Sequence, residues 1–197
     1  MKDAARFWDC STSIQRNVAE VLYRHQQRGI EHEWSPRTDD GMWDQKNWLN
    51  IPGIFYTGDT DTCLTGRLWA PKNVLYDDLG REFIFRQPRD DQELIDVICA
   101  GMVDPFQAYG FDGHRRWTIS LIRQWWKERQ RLVEWIEKNA NRVEWNQNEF
   151  FTQYQQMALS EFQFHLIHEA EQYLRTFAFF LDMGRCATDD DRLPDLE

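Results

Sequence analysis

Residues 74–85 read Val74-Leu75-Tyr76-Asp77-Asp78-Leu79-Gly80-Arg81-Glu82-Phe83-Ile84-Phe85. Two β-prone runs flank a four-residue connection. Acidic residues favour the start of such a turn, and Gly80 can adopt the positive φ that closes it. The stretch therefore predicts a β-hairpin in the middle of a chain whose two ends carry helical periodicity. That combination makes the fold class α+β.

On the N-terminal side, Gly53 to Thr57 and Leu64 to Trp69 are short, rich in aromatic or β-branched residues and bounded by turn signals, so they read as further strands. From Ile30 to Ile51 the periodicity disappears, while Pro36, Asp39-Asp40-Gly41 and Asn50 signal turns. Trp34, Trp43 and Trp48 lie there, which predicts an ordered loop draped over the core. From Asp3 to Arg28, Phe7, Ile14, Val18 and Val21 recur at helical spacing before Gly29, predicting an N-terminal helix.

On the C-terminal side, Asp90 or Asp91 caps a helix that runs to Val103 and ends at Asp104-Pro105. Phe106 to Gly113 reads as a loop. Trp117 to Asn139 is amphipathic, with Leu121, Ile122, Trp125, Trp126, Leu132, Val133 and Ile136 on one arc. Arg129 falls within that arc, where its stem can cover apolar surface while its guanidinium reaches a carboxylate or water. Glu149 to Met183 should return antiparallel to this helix.

The phase slips inside that last segment. Phe150, Phe151, Tyr154, Met157 and Ala158 share one face, whereas Leu159, Phe162, Leu166, Ala170, Tyr173, Leu174, Phe177 and Leu181 centre on another. Either neighbouring elements cover the helix from two sides, or a polar site ends the first stripe. The expected architecture is thus a single α+β domain over residues 1–184. It has an N-terminal helix, a small antiparallel sheet in the middle third and a long antiparallel helical hairpin at the C-terminal end. Gly184 caps the final helix, and residues 185–197 read as an acidic, flexible tail.

Composition narrows the functional classes. The 197 residues are 42% hydrophobic and 15% aromatic, with ten Trp, enough to build a sizeable core from few large side chains. Cys10, Cys63, Cys99 and Cys186 are scattered and form no Cys-x-x-Cys pair, which suggests reduced thiols in the cytoplasm. The longest apolar run, Phe177 to Leu181, falls far short of the roughly 20 residues that cross a bilayer, so no membrane partner is expected.

The formal net charge is −10, yet residues 115–142 carry eight cations against three glutamates. An acidic chain is a poor binder of duplex nucleic acid, whose affinity rests on phosphate neutralisation, and Trp125 and Trp126 on the apolar arc suit packing better than base stacking. Nucleic acid is therefore an unlikely partner and a basic protein a better one.

The segment Asp59-Thr60-Asp61-Thr62-Cys63 resembles the haloacid-dehalogenase signature in spacing, with Cys63 where Thr is usual. That resemblance implies a nucleophilic aspartate after a buried parallel strand, which short hairpin-linked strands do not provide. An acidic turn is the simpler reading. Glu161, His165, His168 and Glu169 sit within two turns on one side of a helix, and imidazole plus carboxylate suits zinc, manganese or iron. No His-Glu-x-x-His or Glu-x-x-His accompanies them.

The preferred expectation is a non-enzymatic cytoplasmic protein-binding protein of inhibitor or immunity type, with no cofactor. It would present Asp39, Asp40, Asp59, Asp61, Asp77 and Asp78, together with aromatic side chains, to a basic partner. The alternative is a metal-dependent hydrolase or oxidoreductase built on the His/Glu helix face.

Overall fold

The computed structural model describes residues 6–27, 43–140 and 149–197, the side chains of 24, 25 and 149–154 excepted. The fold is α+β, dominated by helices and completed by antiparallel strand pairs. Within it the chain groups into two compact units, Trp8–Arg116 and Met1–Phe7 with Trp117–Glu197.

In the unit formed by Trp8–Arg116, helix α1 (Ile14–Gln27) starts well after the expected Asp3. Local hydrogen bonds compete with the helix there: the Asp9 carboxylate accepts from the Ser11 N–H at 2.9 Å, and Cys10 O accepts from Ser13 and Ile14. Its Ile14, Val18 and Val21 are buried. The helix packs on a later one, Asp91–Val103, whose N-cap Asp90 accepts from Glu93 N at 2.8 Å and which ends at Asp104 as expected.

The hairpin forms as read. Its strands, Val74–Tyr76 and Glu82–Ile84, pair in the register Val74↔Ile84 and Tyr76↔Glu82. Asp77 organises the turn, its Oδ1 accepting from Leu79 N at 2.9 Å and Arg81 N at 3.0 Å, while Gly80 takes φ 81°. The element labels in chain order are β1 (Tyr56–Thr57), α2 (Gly66–Trp69), β2 and β3 (the hairpin strands), α3 (Asp91–Val103), β4 (Tyr109–Gly110) and α4 (Gly113–Arg116).

Two strand expectations need correction. Leu64 to Trp69 contains the helical turn α2, because Leu68 N and Ala70 N fold back onto Thr65 O and Gly66 O, while the Glu82 carboxylate takes Gly66 N at 2.6 Å. The expected strand Gly53–Thr57 shrinks to β1, whose antiparallel partner β4 lies in the stretch read as loop. Just before β1, Phe55 is served by a side chain instead of a strand: Gln87 Oε1 accepts from Phe55 N at 3.0 Å and Gln87 Nε2 donates to Phe55 O at 2.8 Å.

Asn50 extends this device. Its Oδ1 accepts from Ile84 N at 2.8 Å and from both Thr57 N and Thr57 Oγ1 at 3.2 Å. Its Nδ2 donates to Asn47 O and Thr57 O at 2.8 Å. The residue is 2% exposed and joins the draped loop, β1 and β3 at one point. Trp43, from the same loop, meets the Tyr56 ring edge-on at 5.2 Å.

In the unit containing Trp117–Glu197, the expected single helix from Trp117 is two: α5 (Ile119–Lys127), capped by Thr118 Oγ1 on Leu121 N, and α6 (Arg129–Ala140). At the joint, Glu128 N–H is shared between Gln124 O and Trp125 O, which tightens and ends the first helix. Arg129 resolves its place on the apolar arc locally, donating to Trp126 O at 2.8 Å with its guanidinium 4.1 Å from the Trp126 ring centre.

The phase slip from Ala158 to Leu159 lies inside one continuous helix, and the chain breaks later, within the second stripe. Helices α7 (Glu149–His168) and α8 (Ala170–Met183) meet at Glu169, whose φ of −124° interrupts the helix. The second stripe is buried on both sides of this break: Leu159, Phe162 and Leu166 on α7, with Ala158 of the first stripe beside them, and Ala170, Tyr173, Leu174 and Phe177 on α8. Pairing of α7 with α6 and of α8 with α5 gives the antiparallel helical hairpin. Phe7 joins this unit, donating its N–H to Thr176 Oγ1 at 2.8 Å and packing 4.9 Å from the Phe177 ring.

Residues 185–197 are mostly exposed and make specific contacts. Arg185 holds Asp191 with two 2.7 Å hydrogen bonds, Arg6 pairs with Asp189, and Leu196 is buried.

Replacing Asn50 with Ala strands the buried N–H groups of Thr57 and Ile84 and the carbonyl of Thr57. At 1–3 kcal/mol per abandoned group the expected loss is about 3–5 kcal/mol of stability. Urea denaturation measures it, and a loss below about 1 kcal/mol would refute the assigned role.

Candidate functional site

The residues of greatest chemical interest gather where the loop 58–66 meets the β2–β3 turn. By strand period, Glu82 shares the face of Ile84, and it is buried with it. Its Oε1 accepts from Gly66 N at 2.6 Å and its Oε2 from Tyr109 Oη at 2.5 Å. A Cβ at position 66 would lie 2.3 Å from Glu82 Oε2, so only glycine allows this approach. Burial pushes the Glu82 carboxyl up to about 7, against the lowering effect of Tyr109 and Gly66, with Asp104 and Asp61 adding to the rise. Burial, then the neighbouring Glu82, drives the Tyr109 phenol well above its ordinary range.

Asp104 supports the same corner. It accepts from Asp61 N at 3.2 Å, Phe106 N at 3.3 Å and Ala108 N at 2.6 Å, and burial raises its carboxyl despite these three donors. Thr60 Oγ1 accepts from Glu82 N at 2.6 Å. The buried acids thus face inward, accepting backbone donors that no strand reaches.

The six aspartates expected to meet a partner separate accordingly. Asp39 and Asp40 lie outside the described residues. Asp61 is buried and accepts from Cys63 N at 3.0 Å; Asp77 is buried and held by Arg81 and by Asn47 Nδ2 at 3.0 Å. Only Asp59 and Asp78 among the four described are exposed, and Asp59 pairs with Arg81 at 2.6 Å. Nor does β1, which pairs antiparallel, provide the parallel strand that the dehalogenase-like spacing implies. The exposed Cys63 thiol is pushed up by its hydrogen bond to Asp61 and by that carboxylate's charge, the reverse of nucleophile activation.

The outer surface of this corner is apolar and acidic. Leu79 is 68% exposed beside exposed Asp78. A Cβ on Gly80 would lie 3.6 Å from both Leu64 Cδ2 and Thr62 Cβ, which places the two turns side by side. Leu64 holds φ 61°, a left-handed conformation uncommon for a branched side chain.

The metal candidates are not brought together. His165 is buried and its Nδ1 lies 2.8 Å from Glu169 Oε2, an i,i+4 pair at the α7–α8 joint. His168 and Glu161 are exposed, and the His168 ring packs 4.7 Å from that of Phe164. Among the described residues, no group of three or more His, Cys, Asp or Glu side chains is arranged to hold a metal ion. Also among them, no helix is long and apolar enough to cross a membrane.

Sequence reasoning passed over Glu82, Tyr109 and Gly66. A usable signal existed for Glu82, since strand alternation puts it on the same face as the apolar Ile84. Nothing local points to Tyr109, which reaches Glu82 across 27 positions of chain.

Because Glu82 titrates higher in the folded chain than its ordinary 4.5, the folded state holds its proton more tightly. This contribution to stability is fully present below pH 4.5 and is lost as the pH rises through about 7. The span corresponds to on the order of 3 kcal/mol. Glu82→Gln should flatten that part of the pH dependence, as read from urea denaturation between pH 4 and 8. Parallel profiles for the two proteins would contradict the assignment.

Comparison with protein-family models, with curated proteins and with solved structures finds no match.

Proposed function

We propose that this chain is a non-enzymatic protein-binding protein that presents the apposed turns of its Trp8–Arg116 unit to a basic partner. One observation carries the reading: Leu79 stands 68% exposed at the tip of a turn fixed by hydrogen bonds to the buried Asp77, with exposed Asp78 beside it. An apolar anchor on a rigid support loses little entropy on binding, and an adjacent carboxylate steers and orients a cationic surface.

The buried acids support this reading by their occupation: Asp61, Asp77, Glu82 and Asp104 accept hydrogen bonds from their own chain. Of the six aspartates read from spacing, Asp59 and Asp78 are the described ones exposed to solvent, Asp59 being paired with Arg81. An inhibitor or immunity-type role in the cytoplasm is the specific form proposed, consistent with four free cysteines. The metal-dependent alternative gains nothing from a helix face on which His168 and Glu161 point to solvent.

Affinity capture from the native cell tests the proposal with the wild type and with an Asp78→Asn/Leu79→Ala variant. A partner retained at low salt should weaken at least about tenfold in the variant, equivalent to about 1.4 kcal/mol, and should elute as salt rises. Capture indifferent to both changes would refute it.

A further inference from the structure

A second recognition feature lies wholly within the helical unit. On α8, Arg175, Phe179, Asp182 and Met183 follow helical spacing and share one face; on α5, Ile119 and Arg123 do the same. Together they line a groove with an open volume of about 780 Å³, bordered by residues 191–195.

The segment Leu193–Asp195 forms one wall of this groove and is held across the two helices by its main chain. Arg175 donates from Nε to Pro194 O at 3.0 Å and from a terminal nitrogen to Leu193 O at 3.4 Å. Arg123 Nε donates to Asp195 O at 3.0 Å. Three successive carbonyls are therefore read by two guanidinium groups, and the next residue, Leu196, is only 2% exposed. The Asp195 carboxylate is held below its ordinary range, chiefly by the Glu197 N–H, then by the Leu196 N–H, and last by the charges of Arg175 and Arg123.

This pattern combines main-chain readout, one acidic position and one apolar anchor. Guanidinium groups bind carboxylates more strongly than carbonyls, and Pro favours the extended backbone that such a groove accepts. Asp191, which borders the groove just before this segment, is already engaged by Arg185 and Thr188, and Glu197, the other acid of the segment, is exposed. Departure of Leu193–Glu197 would thus leave Arg123 and Arg175 beside Ile119, Phe179 and Met183, with Asp182 as the acid among the helical residues that line the groove.

We infer that the surface of α5 and α8 carrying Arg123 and Arg175 is a binding site for an extended acidic peptide segment with a leucine-type anchor, and that Leu193–Glu197 lies across it as an internal stand-in. An external segment must displace a tethered one whose effective concentration is in the millimolar range, so occupancy in the intact chain is competitive.

The test uses the full chain and a fluorescent peptide of the sequence Arg-Leu-Pro-Asp-Leu-Glu, followed by anisotropy. Leu196→Asp places a carboxylate at a buried position and releases the internal segment. This variant should bind the peptide at least about tenfold more tightly than wild type, as removal of the tethered competitor requires. Adding Arg123→Ala, or giving the peptide Asp in place of its second Leu, should abolish the gain. A folded Leu196→Asp chain that binds no better than wild type, or that binds a scrambled peptide equally, overturns the inference. Should Leu196→Asp fail to fold, amide exchange on the wild type decides instead. Millimolar peptide should accelerate exchange within residues 193–197, and unchanged exchange overturns the inference.

Discussion

One side chain, Asn50, does what a strand would otherwise do. Its amide satisfies backbone groups of Asn47, Thr57 and Ile84, and these belong to a loop and two strands that pair only two or three residues each with their own partners. Strand pairs this short are marginal by themselves, and an unpaired backbone group in a dry interior costs as much as a lost hydrogen bond. Burial of the surrounding aromatic rings therefore depends on polar side chains that reach into the core. Gln87 repeats the solution at Phe55, Asp77 at the hairpin turn and Asp104 at the start of the 104–108 turn.

Glu82 shows what this mode of construction costs. A carboxylate beside Tyr109 and Gly66 completes the corner, yet burial disfavours its charge, and the nearby Asp61 and Asp104 disfavour it further. Only groups with no room to relax hold such an acid in place, and the clash that any Cβ at Gly66 would meet is the measure of that room. A rigid interior of this kind leaves the turn surface fixed. Asp78 and Leu79 are offered to solvent because Asp77, one residue earlier, is turned inward.

How much of this was legible in the sequence follows from the range of the interactions. Asp90 and Gly80 act within four residues of themselves, so the α3 cap and the hairpin turn could be read directly. Glu82 and Gly66 are 16 positions apart, and Asn50 and Ile84 are 34 apart, so no window reveals that residues 64–69 lose a strand to a helical turn or that Tyr109 begins one. The slip in apolar phase at Ala158–Leu159 was visible, but the interruption at Glu169 was not, because it falls inside the second stripe, whose helical spacing continues across it. Adjacent aspartates set a similar limit on the site. Spacing identifies Asp77 and Asp78 as turn residues, and only the tertiary structure separates the buried one from the exposed one.

Net charge alone is a poor guide to either proposed surface. A formal −10 suggests that this chain repels acidic ligands, but at physiological ionic strength exposed charges are largely screened beyond about 8 Å. Within that radius the groove offers Arg123 and Arg175 to main-chain carbonyls and to Asp195, whereas the turns of the other unit offer Asp59 and Asp78. The overall field acts mainly on encounter rates, slowing an acidic segment and hastening a basic partner. Contact geometry then sets the lifetimes. An acidic protein can accordingly carry a guanidinium-lined groove without contradiction, and a stand-in segment attached to the same chain meets the least electrostatic resistance to filling it, because its tether replaces the encounter step.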